Sequence, residues 1–390
     1  MTAPTAAPPG PAKAPAKGGK QQQVVVARRF RVGVQSHDEN VIDTTVTPGA
    51  STVDLPVANI SPAGWLRYFY LLLEATTAGN AANTTFAENG PWNAIDTISF
   101  EDVNSVPVLG PLTGYELMIA NKFGGYVHSG DPRQSNIFTV TTGSGGSGGS
   151  FTWCLRIPVE LVSRDALGPL PNKSGTAEFK VRIRLSASAT IYGVAPTAAP
   201  SIRVRLHQVD WWDPPSTDLK GRPLAQQPPA AQTTQFWSKA NFTLPSGAFR
   251  QDLERVGYGI RNLIFIFNDT GNGSRATGDT DFPDPATLQF EANVLIQGRP
   301  RKLWQHAIAE DYGYVGTTPD AGGARENGVY PIPFNKDFGL KPGEETRRGY
   351  LWTSSGSRLT FSGTNGGAAT MTVLTNDVLP AGGNDAAIVA

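Results

Sequence analysis

The sequence predicts an all-β protein built as two similar halves, and three observations carry that prediction. The first is the stretch 211–235, WWDPPSTDLKGRPLAQQPPAAQTTQ, which holds five prolines and no run of alternating apolar residues. Proline fixes φ and removes a backbone donor, so this segment suits neither a helix nor a central strand and reads as an extended strap. The second is the alternation in EFKVRIRL (178–185) and SIRVRLHQV (201–209). Phe179, Val181, Ile183 and Leu185 share one face with Lys180, Arg182 and Arg184 on the other, and Ile202, Val204 and Leu206 oppose Arg203, Arg205 and His207 in the same way. That is the period of a strand buried on one side. The third is punctuation: 43 glycines and 31 prolines in 390 residues, without a collagen-like period, suit many short strands joined by many turns.

The chain begins with a basic arm, residues 1–35. Its first 23 residues are rich in Ala, Pro, Gly, Lys and Gln and cannot bury a core, so they are predicted to be disordered in isolation. Lys13, Lys17, Lys20, Arg28, Arg29 and Arg31 face no acid there. The arm is therefore +6, and residues 36–390 balance it at −6. A basic flexible segment meets anionic lipid or nucleic acid weakly, at about 1 kcal/mol per lysine at most, so these six side chains are candidate contacts rather than a specific pocket. A solubilising tail with no partner explains them equally well.

The first β domain is read as 36–211. Residues 24–34 (VVVARRFRVGV), at the end of the arm, are the chain's first strand candidate, followed by a β-branched stretch at 44–57 turning at Pro48-Gly49. WLRYFYLLLEATT, from residue 65, suits a strand buried on both faces, and 94–100 is another strand. At Thr113-Gly-Tyr-Glu116 the pattern changes to a capping box, in which hydroxyl and carboxylate each satisfy an orphan amide. Tyr115, Met118, Ile119 and Lys122 follow at helical spacing, and Gly124-Gly125 can stop the helix. TTGSGGSGGS (141–150) is expected to be a flexible loop, and strands resume at 151–159.

After the strap, 212–235, the second domain is read as 236–376, with a tail at 377–390. Strands are expected at 236–244, 262–268 and, as one longer strand, 286–297. KLWQHAIAED (302–311) is helical, with Leu303, Trp304, Ala307 and Ile308 on one side. Strands at 328–334, 350–353, 358–362 and 369–375 close the chain. Both halves thus read as strands, one short helix, then strands, with no residue-level repeat between them.

Several chemistries find no support. The single cysteine, Cys154, sits in an apolar strand-like run, and no intrachain disulfide is possible. His37, His128, His207 and His306 have no partners at metal-ligand spacing. The Gly-rich loop lacks the Lys-Ser/Thr ending of a phosphate-binding loop, and no nucleophile elbow is present. The acid-rich loop 268–284, with Asp279, Asp281 and Asp284, lacks EF-hand spacing and reads as Asx turns, calcium being the alternative. The basic strand faces lack the interleaved aromatics of single-strand binders. The apolar run near residues 65–75 is too short to cross a bilayer, and the N-terminus has no signal-peptide apolar region. No cofactor is implied.

The order of features resembles a family. DLPVANISPAGWLRYFYLLLEATT and ENGPWNAIDTISFEDVNSVPVLGPLTGYELMIANKFGG are similar to the first half of double jelly-roll major capsid proteins of tailless, internal-membrane bacteriophages (tectivirus-like). NLIFIFNDTGNGS, RKLWQHAIAED and ENGVYPIPF supply the second half, and the likeness spans roughly residues 36–376. The resemblance implies two eight-stranded jelly rolls standing side by side. It also implies a pseudo-hexagonal homotrimer that meets neighbouring trimers, and penton or minor capsid proteins, in an icosahedral virion shell. The family's N-terminal segment faces the interior, which would turn the six basic residues of the arm toward an internal membrane or the genome. In relatives that segment is expected to be helical; here Pro4, Pro8, Pro9, Pro11 and Pro15 forbid a helix over the first fifteen residues. The competing reading is a carbohydrate-binding or tail-fibre β-sandwich in which Trp92, Trp211 or Trp212 stacks on sugars. A cupin-type enzyme would need clustered histidines.

Overall fold

The computed structural model describes Phe30 and residues 33–379, apart from 127–129, 164–165, 214, 218–219, 224–227, 230–233, 314–325 and 335–346. The strand expected at 24–34 lies largely outside the described residues, and Phe30, Gly33 and Val34 are not in a strand.

Sixteen strands make the framework. In the first half these are β1 (Ser36–Val46), β2 (the two short pieces Val53–Asp54 and Ala58–Asn59), β3 (Gly64–Thr76), β4 (Ile95–Glu101), β5 (Pro107–Leu112), β6 (Phe151–Pro158), β7 (Lys180–Leu185) and β8 (Ser201–Trp211). In the second they are β9 (Gln235–Leu244), β10 (Gly247–Leu253), β11 (Gly259–Asp269), β12 (Ala286–Phe290), β13 (Asn293–Arg299), β14 (Val329–Pro333), β15 (Leu359–Asn365) and β16 (Ala369–Val378). The first half pairs β1-β8-β3-β6 in one sheet and β2-β7-β4-β5 in the other. The second repeats both orders, as β9-β16-β11-β14 and β10-β15-β12-β13. Two interleaved four-stranded sheets in these orders are a jelly roll, so the chain is two jelly rolls in tandem.

Each roll packs an apolar face, and the first core runs on into the second roll through Trp237, Ile264, Ile266, Val329 and Leu374. Leu66, Phe69, Leu71 and Leu73 of β3 meet Ile98 and Phe100 of β4 and Val181, Ile183 and Leu185 of β7 in the first core. Phe265 and Phe267 of β11 meet Leu288, Phe361 and Met371 in the second. The rolls also touch edge to edge: β5 lies parallel to β9 through the single pair Leu109–Trp237.

Helices α1 (Gly114–Phe123) and α4 (Arg301–Tyr312) lie at the same point of each roll, between the fifth and sixth strands. The capping box is formed: Thr113 accepts from the Glu116 amide and Glu116 accepts from the Thr113 amide. Two further helices, α2 (Ser188–Ile191) and α3 (Arg275–Asp281), are too short to leave a periodic signal in the sequence.

Five expectations are corrected. Strand β3 buries one face only: Tyr70 is 36% exposed, because one side of the sheet carries the core and the other carries Arg156 stacked over Tyr68 and Tyr70. The Gly-rich loop is pinned. Gly143–Gly145 pairs with Asn80–Phe86, and the Asn80 amide donates to the Gly148 carbonyl at 3.1 Å. A Cβ on Gly148 would lie 2.2 Å from the Gly143 oxygen, so glycine here permits close backbone approach. Residues 286–297 are a hairpin, β12–β13, reversed at Glu291 with φ 52° rather than at a Gly or Asn. Leu303 points outward, unlike Trp304 and Ile308. Strand β1 begins at residue 36, where the polar sequence SHDENVIDTTV hid it.

Candidate assembly surfaces

The joint between the rolls is built from both halves. Trp237 Nε1 donates to Tyr126 Oη at 3.2 Å, and Tyr126 Oη donates to Gln235 Oε1 at 2.6 Å. Gln235 Nε2 donates to the carbonyls of Val159 and Glu160, each at 3.2 Å. Lys239 Nζ lies 3.0 Å from both carboxylate oxygens of Glu116. Deeper in, Lys122 Nζ donates to Asp131 at 3.0 Å and to Glu326 at 2.8 Å, and Arg133 bonds the same two carboxylates. Burial pushes the Asp131 carboxyl up, but the Arg133 hydrogen bond and the Lys122 charge outweigh it and hold it below its usual range. Glu88 accepts from the amides of Arg275 (2.9 Å) and Ala276 (2.8 Å), capping α3 of the second roll from a loop of the first. A buried polar network satisfied from both sides fixes one arrangement of the two rolls.

The basic strand faces are neutralised by acids on neighbouring strands. Arg182 donates to Glu101 at 2.9 Å, Arg203 to Asp43 at 2.6 and 2.7 Å, and His207 Nδ1 lies 2.8 Å from Asp38. Arg205 pairs with Glu74, and Arg184 lies 3.5 Å from Asp54. The Arg203 hydrogen bond holds the Asp43 carboxyl below its usual range. These faces are mixed-charge surfaces rather than a positive track.

The base of the first roll is where the arm enters and the strap leaves. Phe30, Val34, Ala166 and Trp211 form a small core with Trp65 against it. The Arg67 guanidinium stacks 3.6 Å over Trp211 and donates to Glu160 at 2.9 Å, and Trp211 Nε1 donates to Glu160 at 2.7 Å. The Trp212 amide donates to the Gln35 carbonyl at 3.0 Å. Beside them Asp210 is wholly buried, neither of its oxygens makes a close hydrogen bond among the described residues, and burial, outweighing the lowering influence of the Gln208 amide and the His37 charge, pushes its carboxyl up to about 6. The six basic residues singled out in the arm, Lys13, Lys17, Lys20, Arg28, Arg29 and Arg31, lie outside the described residues.

Other candidates resolve into structural roles. In the loop 268–284, Asp269 accepts from the Gly271 and Asn272 amides at 2.7 and 2.9 Å as an Asx turn, and Asp279 accepts from Tyr330 Oη at 2.7 Å. Among the described residues no group of three or more His, Cys, Asp or Glu side chains could hold a metal. Cys154 is part-buried, and burial pushes its thiol up to about 11, far from a reactive thiolate. Trp92 is buried between Phe138 and Trp153, and Trp211 lies under Arg67. Of the three tryptophans considered for sugar stacking only Trp212 is exposed, at 51%, and its face already stacks on His37.

The joint was largely illegible in the sequence. Gln235 and Tyr126 meet across 109 residues with no local pattern to announce it. One signal was present: Lys122 stands on the otherwise apolar stripe of α1, where a lysine needs a buried partner.

No protein-family model and no curated protein matches the sequence. Solved structures do match its shape. The STIV MCP, of Sulfolobus Turreted Icosahedral Virus, superposes with a TM-score of 0.58 at 15% identity, over 89% of this chain and 98% of its own. The major capsid protein P2 from bacteriophage PM2 gives 0.51 at 11% identity, over 90% and 100%. PBCV-1 VP54 gives 0.54 at 11% identity, over 90% and 95%. The fold is therefore the double jelly roll of viral major capsid proteins.

Proposed function

We propose that this protein is a major capsid protein, a structural subunit whose homotrimers tile an icosahedral virion shell. The observation that carries the reading is the pair of topologically identical rolls locked side by side, matched over nearly the full length of both chains by capsid subunits. The role asks for no catalysis. Its partners are further copies of itself, then penton or minor capsid proteins. The two strand sets, 36–211 and 235–378, act as the two building blocks, tied by the strap that ends just before Gln235. The strap and tail bounds read from the sequence, 212–235 and 377–390, each shift because Gln235, Asp377 and Val378 are buried strand residues. The basic arm, through Lys13, Lys17, Lys20, Arg28, Arg29 and Arg31, lies on the inner side against lipid or DNA phosphate; its +6 charge supports this.

Comparing the full chain with a variant lacking residues 1–23 tests both parts. The full chain is expected to have three times the 41.5 kDa subunit mass and to assemble into shells. The truncated chain is expected to keep the trimer and lose shell closure. A full chain that stays monomeric and binds glycans through Trp212 would favour the β-sandwich lectin instead.

A further inference from the structure

Strand β9 has two faces, and they meet different surroundings. Trp237 stands opposite Asn376 and Lys239 opposite Leu374, on the face that packs against the first roll. Ser238 stands opposite Thr375, Ala240 opposite Val373 and Phe242 opposite Met371, on the face that looks into the second roll. The first face is closed, with Trp237 buried. On the second, Ser238, Ala240 and Phe242 are only half-buried although they point into the roll. The sandwich is therefore open between β9 and the end of β10, which is the edge of its own sheet.

A cavity of about 250 Å³ occupies that opening. Ala240, Phe242, Leu253 and Val373 give it an apolar body, and Ser238 and Thr375, directly opposite each other, put two hydroxyls at one end. Thr375 is 5% exposed, and neither hydroxyl makes a side-chain hydrogen bond among the described residues. A buried hydroxyl without a partner is destabilising, so native structures satisfy it with protein, water or a ligand. The charges at this end cancel in pairs. Arg255 donates to both oxygens of Asp377, at 2.6 and 3.1 Å, and Lys239 is held by Glu116 at 3.0 Å. Glu254 is left over, exposed and with no ion pair among the described residues. An anionic head group would meet that uncompensated carboxylate. A cationic one would gain little from it, because water and salt screen an exposed charge.

We propose that this cavity binds a neutral single-chain amphiphile. Its aliphatic chain lies against Ala240, Phe242, Leu253 and Val373, and its hydroxyl head exchanges hydrogen bonds with Ser238 and Thr375. Apolar clefts with a few convergent polar groups are where small molecules bind, and the mouths of β-barrels are common places for them. Burial of the chain supplies affinity, and the two hydroxyls supply orientation. The site is made by one chain and is independent of how copies assemble.

Calorimetric titration of the full chain with n-octanol, octanoate and octyltrimethylammonium, at two temperatures, tests the site. Octanol is expected to saturate at one molecule per chain, with the two charged probes binding more weakly. Thr375→Val keeps the shape and removes the hydroxyl, and is expected to weaken octanol binding about tenfold. Ala240→Phe fills the cavity and is expected to abolish binding. No saturable heat with any probe would mean that water alone satisfies the two hydroxyls, and the site would fall. Undiminished binding in Ala240→Phe would also overturn it, and tighter binding of either charged probe would contradict the neutral head. Where circular dichroism shows that a variant does not fold, a diazirine-bearing analogue of octanol decides on the wild-type chain. Label on residues 238–242 and 373–375 supports the site, and label elsewhere sinks it.

Discussion

Lys122 shows how a single residue is constrained by the whole. Its side chain is fully buried between Asp131 and Glu326, with Arg133 bonding both acids. Breaking a buried ion network by removing one partner leaves uncompensated charge and costs about 3–5 kcal/mol. Lys122→Met should therefore lower the unfolding free energy measured by urea titration by that amount, and a loss under about 1 kcal/mol would mean the network is solvated. Asp210 makes a pH prediction. Its carboxyl ionises near 3.8 when unfolded and near 6 when folded, so the native state holds the proton more tightly. Stability from this group is full below pH 3.8, declines as pH rises to about 6, and is lost above it, by about 2–3 kcal/mol. The charged groups that act on it are His37 and Arg67, which lower it, and Glu39, which raises it. Asp210→Asn should gain in melting temperature over wild type as pH rises from 4 to 7. A constant difference across that range would show that Asp210 does not titrate there.

Elements were legible where packing follows a local period. Strands β7 and β8 announced themselves because Val181, Ile183 and Leu185, and Ile202, Val204 and Leu206, alternate with charged residues and are buried as that alternation requires. Helix α1 was legible through Thr113 and Glu116; Thr113→Ala should cost about 1 kcal/mol in thermal or chemical unfolding, with the helix retained because all ten of its residues are packed. The β12–β13 hairpin was hidden because Glu291 makes the reversal without a Gly or Asn, leaving an unbroken β-forming stretch. Leu303 was placed with the buried face because helical spacing says which residues share a side and nothing about how wide the covered side is. The candidate contacts of the arm were read from charge alone, and charge carries no geometry.

At the scale of the molecule, what makes a building block is duplication with a fixed joint. Two rolls of identical strand order are held by Trp237, Tyr126, Gln235 and the Lys122 network, so the pair presents broad outer faces rather than a hinged cleft. The ion pairs across β1, β8 and β3 keep one such face hydrated and mixed in charge, while β13 and α4 leave an apolar one. A subunit that tiles a shell, as proposed, adds copies of itself around a closed ring. Class averages of the purified full chain by electron microscopy test this most directly. The account predicts three-fold particles with six lobes, one for each roll, and closed shells as concentration rises. Single two-lobed particles at every concentration, or open filaments, would contradict it.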